Sequence, residues 1–209
     1  MKLQQTFNIG AVILAAGMSS RMGQMKVLLP WGENKTIIEH IIAQLREAQV
    51  NYITVVTGHS AKEVEENITP MGVHVVHNPQ YKTGEMLSSL KVGLCDMPEH
   101  VEAALVVLGD QPRIQTKTIY QVMLAYIEGQ GEIVAPSFEQ RRGHPILIGK
   151  RFWKEILDLP IHGAPRDVIN AHNDSVVYVE VDNDSILRDV DTPADYDEER
   201  LRAGLDKPD

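Results

Sequence analysis

An α/β sandwich built on a mostly parallel sheet is the fold class this sequence predicts, and three observations carry the prediction. Two short apolar runs, residues 9–16 and 103–108, lack the polar alternation of a half-exposed strand and read as strands buried on both faces. Segments with helical spacing of apolar residues alternate with strand-like segments along most of the chain, as right-handed βαβ crossovers require. No internal repeat, low-complexity tract or linker interrupts the sequence, so a single domain over residues 1–209 is expected.

In chain order, the first strand, 9–16, runs into Gly17 and a loop that extends to about Lys35. Thr36 is placed to cap the next helix: Glu39, three residues on, completes a capping box, and Ile37, Ile38, Ile41, Ile42 and Leu45 recur at helical spacing. Residues 52–57 are β-branched and read as a strand, 61–68 as a helix, and 73–77 as a strand stopped by Asn78-Pro79. A helix over 86–94, the second buried strand, a helix over 115–127 and a strand over 132–136 continue the alternation. From residue 141 the pattern is less regular. A basic turn, Arg141-Arg142-Gly143-His144-Pro145, precedes a strand at 146–148 and a helix at 152–157. Residues 176–181 and 186–190 are expected to pair as an antiparallel hairpin. A closing helix over 193–203 has Thr192 as its cap, Pro193 at its first position and Asp195 in its first turn.

Composition narrows the function. The chain of 209 residues carries a formal net charge of −9 and is 43% hydrophobic. That charge gives no general attraction to a polynucleotide or an anionic membrane. No stretch is long and apolar enough to span a bilayer, and the first eight residues lack the apolar core of a secretory signal, so a cytoplasmic protein is expected. The single cysteine, Cys95, cannot form an internal disulfide and sits among Leu90, Val92 and Leu94, as on the buried face of a helix. His74 and His77 have helical metal-ligand spacing but lie in a predicted strand, where residues three apart point to opposite faces.

Ligands of open α/β sheets bind beyond the carboxyl ends of the strands, which directs attention to the loops after residues 16 and 108. The first loop, Leu14-Ala15-Ala16-Gly17-Met18-Ser19-Ser20-Arg21-Met22-Gly23-Gln24-Met25-Lys26, sets two glycines, two serines and two cations close together. Glycines admit anionic oxygens to backbone N–H groups and cations neutralise them, so the loop suits a polyphosphate. It is neither a Walker A loop nor a GxGxxG fingerprint, and a solvated surface loop is the competing reading. The second loop, Gly109-Asp110-Gln111-Pro112, places a carboxylate at a buried strand end. There it would hold Mg²⁺ beside a phosphate or cap the next helix. In Asp189-Val190-Asp191-Thr192-Pro193 two carboxylates leave a strand-like segment just before a helix, at most one of them is expected to meet a metal easily, and Asp191 has helix capping as its other reading. His144, between Gly143 and Pro145 and beside Arg142, is where a phosphate-bearing acceptor would dock. Gly84, Ser88 and Ser89 offer a base pocket or merely a helix start.

Taken together, these motifs resemble the nucleotidyltransferases of the molybdenum-cofactor type, most closely the cytidylyltransferase (MocA-like) branch of the MobA-like family. Leu14-Ala15-Ala16-Gly17, Ser20-Arg21-Met22-Gly23, Lys26 and Leu28-Leu29-Pro30 are similar to its LAAGxSxRMGxxKxLLP signature. Gly109-Asp110-Gln111-Pro112 resembles its GDxP loop, Arg142-Gly143-His144-Pro145 its RGHP turn, and Asp189-Val190-Asp191-Thr192-Pro193 its DxDTP ending, all in family order. Two segments depart from the pattern: residues 84–90 against GxSxSL, and residues 163–167 against a GARxL-like run.

The resemblance implies a Rossmann-like three-layer fold of the GT-A-like nucleotidyltransferase type. It also implies a reaction in which a nucleoside triphosphate with Mg²⁺ donates its nucleotidyl group to an acceptor phosphate. Ala16, where the guanylyltransferase branch has a second glycine, favours CTP as donor and a molybdopterin-type acceptor, with a molybdoenzyme or chaperone as recipient. Arg21 and Lys26 would carry charge in catalysis with Asp110. Leu14, Ala15, Ala16, Gly17, Ser19, Ser20, Gly23, Gly84, Ser88, Ser89 and Gly109 would contact the nucleotide. Arg142, Gly143 and His144 would hold the acceptor, and Asp110 with Asp189 or Asp191 the metal. A guanylyltransferase, a sugar-phosphate nucleotidyltransferase and a non-catalytic carrier of nucleotide or molybdopterin are the alternatives.

Overall fold

β1 (Ile9–Ala15) is apolar throughout because its two faces feed two different cores. Ile9, Ala11, Ile13 and Ala15 enter one cluster and Val12 the other. β4 (Ala103–Leu108) divides in the same way, with Ala103, Leu105 and Val107 on one side and Ala104 and Val106 on the other. The computed structural model describes residues 8–205, so the expectation about the extreme N-terminus lies mostly outside the described residues.

Beside β1 run β2 (Tyr52–Thr57) and then β3 (His74–His77), both parallel to it, while β4 pairs with β1 from the other side, also parallel. β7 (Ile146–Gly149) is inserted antiparallel between β4 and β5 (Ile133–Phe138), and the short β6 (Arg141–Arg142) pairs with the end of β5. β8 (Val176–Glu180) lies parallel against β5. Among the described residues this is one eight-stranded sheet in the order β3-β2-β1-β4-β7-β5-β6, with β8 on β5.

One face is covered by α1 (Ile37–Glu47), α2 (Ala61–Ile68), α4 (Thr116–Ile127) and α7 (Pro193–Arg202), whose apolar residues join the first cluster. The other is covered by α3 (Glu85–Asp96), α5 (Trp153–Asp158) and α6 (Pro165–Ala171), so the expected three layers form. Both expected caps are present. Thr36 N–H donates to Glu39 Oε2 at 2.7 Å, and Thr192 N–H donates to Asp195 Oδ2 at 2.8 Å. None of the described helices is long and apolar enough to cross a membrane.

Two expectations are corrected. The hairpin of residues 176–181 and 186–190 does not form: the path through α5 and α6 brings the chain back parallel to β5, which binds β8 along an open edge. Residues Asp184–Leu187 form a 3-10 turn instead, and its fully buried Ile186 packs on Gly143, where a Cβ would lie 2.3 Å from the Ile186 carbonyl oxygen. Cys95 is exposed, because Leu87, Leu90 and Leu94 take the buried face of α3 and Cys95 falls about 100° away from Leu94.

Candidate active site

The chain winds outward through β1, β2 and β3 and then returns to place β4 on the opposite side of β1, so the carboxyl ends of β1 and β4 flank a switch-point crevice. The loop after β1 is tied down at two points. Ser19, at a positive φ of 50°, accepts Met22 N–H on its carbonyl and Lys26 N–H on its hydroxyl, each at 3.0 Å, and Met22 is buried in the core. Gly17, Ser20, Arg21 and Gly23 stay exposed on this anchored loop.

Lys26 then reaches into the crevice. Its Nζ lies 2.8 Å from Asp110 Oδ2 and 2.9 Å from Asp191 Oδ1, while Arg21 lies 2.9 Å from Asp191 Oδ2. Three segments far apart in sequence thus converge on one cluster. The capping readings of the two aspartates drop out: α4 begins at Thr116 after Gln115, and Thr192 caps α7. Asp189 points elsewhere and accepts a hydrogen bond from Gln111 Nε2 at 2.6 Å, while Val190 N–H donates to the Asp110 carbonyl at 2.8 Å.

The charges shift one another. Burial works to depress the Lys26 ammonium, but Asp110 and Asp191 outweigh it and hold its pKa above the ordinary lysine value. Burial pushes the Asp191 carboxyl up, yet Lys26 and Arg21 prevail and hold it below the usual range. Asp189 is raised, first by burial and then by the charges of Asp110 and Asp191, despite its hydrogen bond from Gln111.

Beside this cluster is a cavity of about 390 Å³, lined by Leu14, Ala16, Gly17, Ser89, Asp110 and Asp189 together with Tyr81, Glu85 and Met86. Glu85 and Met86 also line a second cavity of about 380 Å³, so the two adjoin. Arg142, Gly143, His144 and Arg166 border this second space, with Leu87, Leu90, Ile146 and Ile148 as apolar wall. Burial disfavours the charged form of His144 and lowers its pKa, and its Nδ1 lies 3.2 Å from the Val106 carbonyl.

Several expected nucleotide contacts play structural parts. Ala15 is buried in the core and has only its backbone to offer. Ser88 accepts a hydrogen bond from Asn78 Nδ2 at 2.8 Å and donates to the Glu85 carbonyl at 3.1 Å, and it borders a separate small cavity. Ser89 also binds Asn78, at 3.0 Å, but reaches the first cavity. Gly84 caps α3, where a Cβ would collide with Ser88 at 2.3 Å; Gly109 abuts the Leu14 carbonyl, where a Cβ would lie at 2.8 Å.

Among the described residues, no group of three or more His, Cys, Asp or Glu is arranged to hold a metal. Asp110 and Asp189, two hard oxygen donors on one cavity wall, nevertheless fit Mg²⁺. That ion often takes only one or two protein carboxylates and completes its shell with phosphate and water.

Comparison with known proteins decides the family. The model of the MobA-like NTP transferase domain matches residues 11–176. The chain belongs to the MobA-like NTP transferase family. It is 30% identical over 190 residues to the molybdenum cofactor cytidylyltransferase of Escherichia coli K12, covering 90% of this chain and 93% of that one. Among solved structures, a nucleotidyl transferase from Methanothermobacter superposes with a TM-score of 0.78 at 27% identity, covering 93% of this chain and 98% of the other. The Mycobacterium tuberculosis H37Rv protein Rv0371c in complex with manganese superposes with a TM-score of 0.71 at 25% identity, covering 92% and 97%. The protein is accordingly a nucleotidyltransferase.

The MobA-like match ends before Asp189 and Asp191, so the third segment of the cluster is brought to the site by the fold rather than by the matched region. Sequence reasoning did not single out Tyr81, Glu85 or Arg166 as lining residues, or Gln111 as the partner of Asp189. Arg166 stands in the run that departs from the GARxL-like pattern. Glu85 carries a positive φ of 49°, a backbone feature that no residue pattern announces.

Proposed function

We propose that the protein is a Mg²⁺-dependent cytidylyltransferase that transfers CMP from CTP to the phosphate of a molybdopterin-type acceptor. An acceptor phosphate oxygen would form a bond to the α-phosphorus, the bond from that phosphorus to the bridging β-oxygen would break, and pyrophosphate would leave. The acceptor is already anionic, so no general base is needed, and catalysis is a matter of alignment and charge neutralisation. The observation that carries the reading is the juxtaposition of the Arg21–Lys26–Asp110–Asp191 cluster with two adjoining cavities, one bearing the Leu14–Gly17 backbone and one bearing Arg142.

In this reading Arg21 and the backbone of residues 17–23 hold the β- and γ-phosphates, and Lys26 neutralises the α-phosphate and the incoming oxygen. Leu14, Ala16 and Ser89 border the nucleotide. Arg142, with Arg166 beside it, attracts the acceptor, while His144 shapes the wall. Asp110 and Asp189 would hold Mg²⁺, which when bound polarises the phosphate oxygens. Asp189 is preferred to Asp191 because it shares the cavity wall with Asp110, whereas Asp191 is engaged by both cations.

The test is thermal unfolding with CTP, GTP, UTP and ATP in turn, each with and without Mg²⁺, since a ligand of the native state raises the melting temperature. Selective stabilisation by CTP that depends on Mg²⁺ is expected, followed by pyrophosphate release once molybdopterin is added. A preference for GTP or UTP would overturn the choice of base, no shift with any nucleotide would overturn the transferase site, and binding without pyrophosphate release would favour a carrier.

A further inference from the structure

We infer that Gln111 is the positioning residue of this site, holding Asp189 by one carboxylate oxygen so that the other stays open to a divalent cation. The inference rests on the reading of Asp110 and Asp189 as cation ligands. Gln111 is only 3% exposed, yet its amide is half used. Nε2 donates to Asp189 Oδ1 at 2.6 Å, while Oε1 is buried without a hydrogen-bond partner among the described residues.

Burying a whole carboxamide for one hydrogen bond costs free energy, because the orphaned carbonyl has given up water. An apolar side chain of the same volume would avoid that cost, so the residue is poorly explained by stability. Its geometry explains it better. Asp189 lines the cavity with Asp110, and a free carboxylate there would rotate among several rotamers. The hydrogen bond from Gln111 selects one of them and leaves Oδ2 without a partner among the described residues.

The backbone braces the same junction, since Val190 N–H donates to the Asp110 carbonyl at 2.8 Å. Residues 110–111 and 189–190 are therefore pinned together twice, which sets the spacing of the two carboxylates. An uncharged donor is what the place requires: glutamate would set another acceptor against Asp189, and methionine would fill the space but donate nothing. Gln111 itself need touch neither nucleotide nor acceptor. It acts through Asp189, as residues behind a metal ligand commonly do.

The test uses Gln111→Met and Gln111→Leu in the full chain, with Asp110→Asn and Asp189→Asn as references. Mn²⁺ binding is measured by electron paramagnetic resonance with a non-hydrolysable CTP analogue present, and analogue binding without metal is measured separately. Whichever Gln111 variant melts cooperatively near the temperature of the unaltered protein carries the result. Weakening of Mn²⁺ binding by roughly 10-fold or more is expected, with metal-free analogue binding unchanged and no loss of melting temperature. A Gln111 variant that binds Mn²⁺ like the unaltered protein, while Asp189→Asn does not, would overturn the positioning role alone. Unimpaired Mn²⁺ binding by both aspartate variants would overturn the ligand assignment beneath it.

Discussion

Replacing Lys26 by methionine tests the centre of the site, because one ammonium stands between two carboxylates. Asp110 Oδ2 and Asp191 Oδ1 lie 2.8 and 2.9 Å from the same nitrogen, so they are no more than about 6 Å apart. With the charge removed, their repulsion at an effective dielectric of about 20 is about 3 kcal/mol. The two side chains are 27% and 33% exposed, and water and salt reduce the penalty to roughly 1–2 kcal/mol. For a chain of this size that is a fall in melting temperature of about 2–8 °C in metal-free, low-salt buffer, shrinking as salt is added. Turnover is expected to fall at least ~100-fold, equivalent to about 2.7 kcal/mol of transition-state stabilisation, and salt should not restore it. The assay is pyrophosphate release with the nucleotide chosen by the thermal screen and molybdopterin as acceptor. Turnover within about threefold of the unaltered protein would refute the assignment of Lys26 to the reacting phosphates, and an unchanged low-salt melting temperature would refute the electrostatic reasoning.

Asp110→Ala should lose turnover to at least the same ~100-fold degree, measured in the same assay. Arg142→Ala should raise the apparent constant for the acceptor more than that for the nucleotide, and equal effects on both would argue against separate cavities for the two. Asp189→Asn separates stability from activity. The folded-state pKa of Asp189 is raised, so its ionised form is disfavoured in the native state, and that destabilisation is present above the raised pKa and fades as the pH falls through it. The asparagine variant should therefore melt slightly higher than the unaltered protein at pH 7, lose that advantage in acid, and be impaired in turnover. Gly93→Ala should destabilise by about 1–3 kcal/mol in urea unfolding despite alanine's better helix propensity, because its Cβ would lie 2.3 Å from Val12 Cγ1 where α3 crosses β1.

Much of this molecule is written in short-range terms. The first strand and its glycine-bearing loop, the capping boxes at Thr36 and Thr192, and the turn at Gly109-Asp110 all depend on neighbours a few residues away, and the structure contains each of them. Two residues apart in an extended strand, Asp189 and Asp191 would share a face, but residues 188–191 form no strand. The structure turns the two side chains to different partners, Asp189 to Gln111 and Asp191 to Arg21 and Lys26. Where expectation failed, a distant partner intervened. Residues 176–180 have the apolar character of a strand, but whether they pair with residues 186–190 or with β5 depends on which edge the crossover delivers them to.

By itself, then, the sequence determined the fold class, the glycine-bearing and Asp110 loops at the ends of β1 and β4, and the family, because periodicity, turn residues and motif spacing are properties of the chain. Only the tertiary structure decided that β7 enters antiparallel, that Cys95 faces solvent, that the His144 ring lies against the Val106 carbonyl, and that Gln111 donates a hydrogen bond to Asp189. Those outcomes turn on burial and on contacts between residues as far apart as Gln111 and Asp189. Such contacts are selected by the packing of the whole sheet, and no local pattern encodes them.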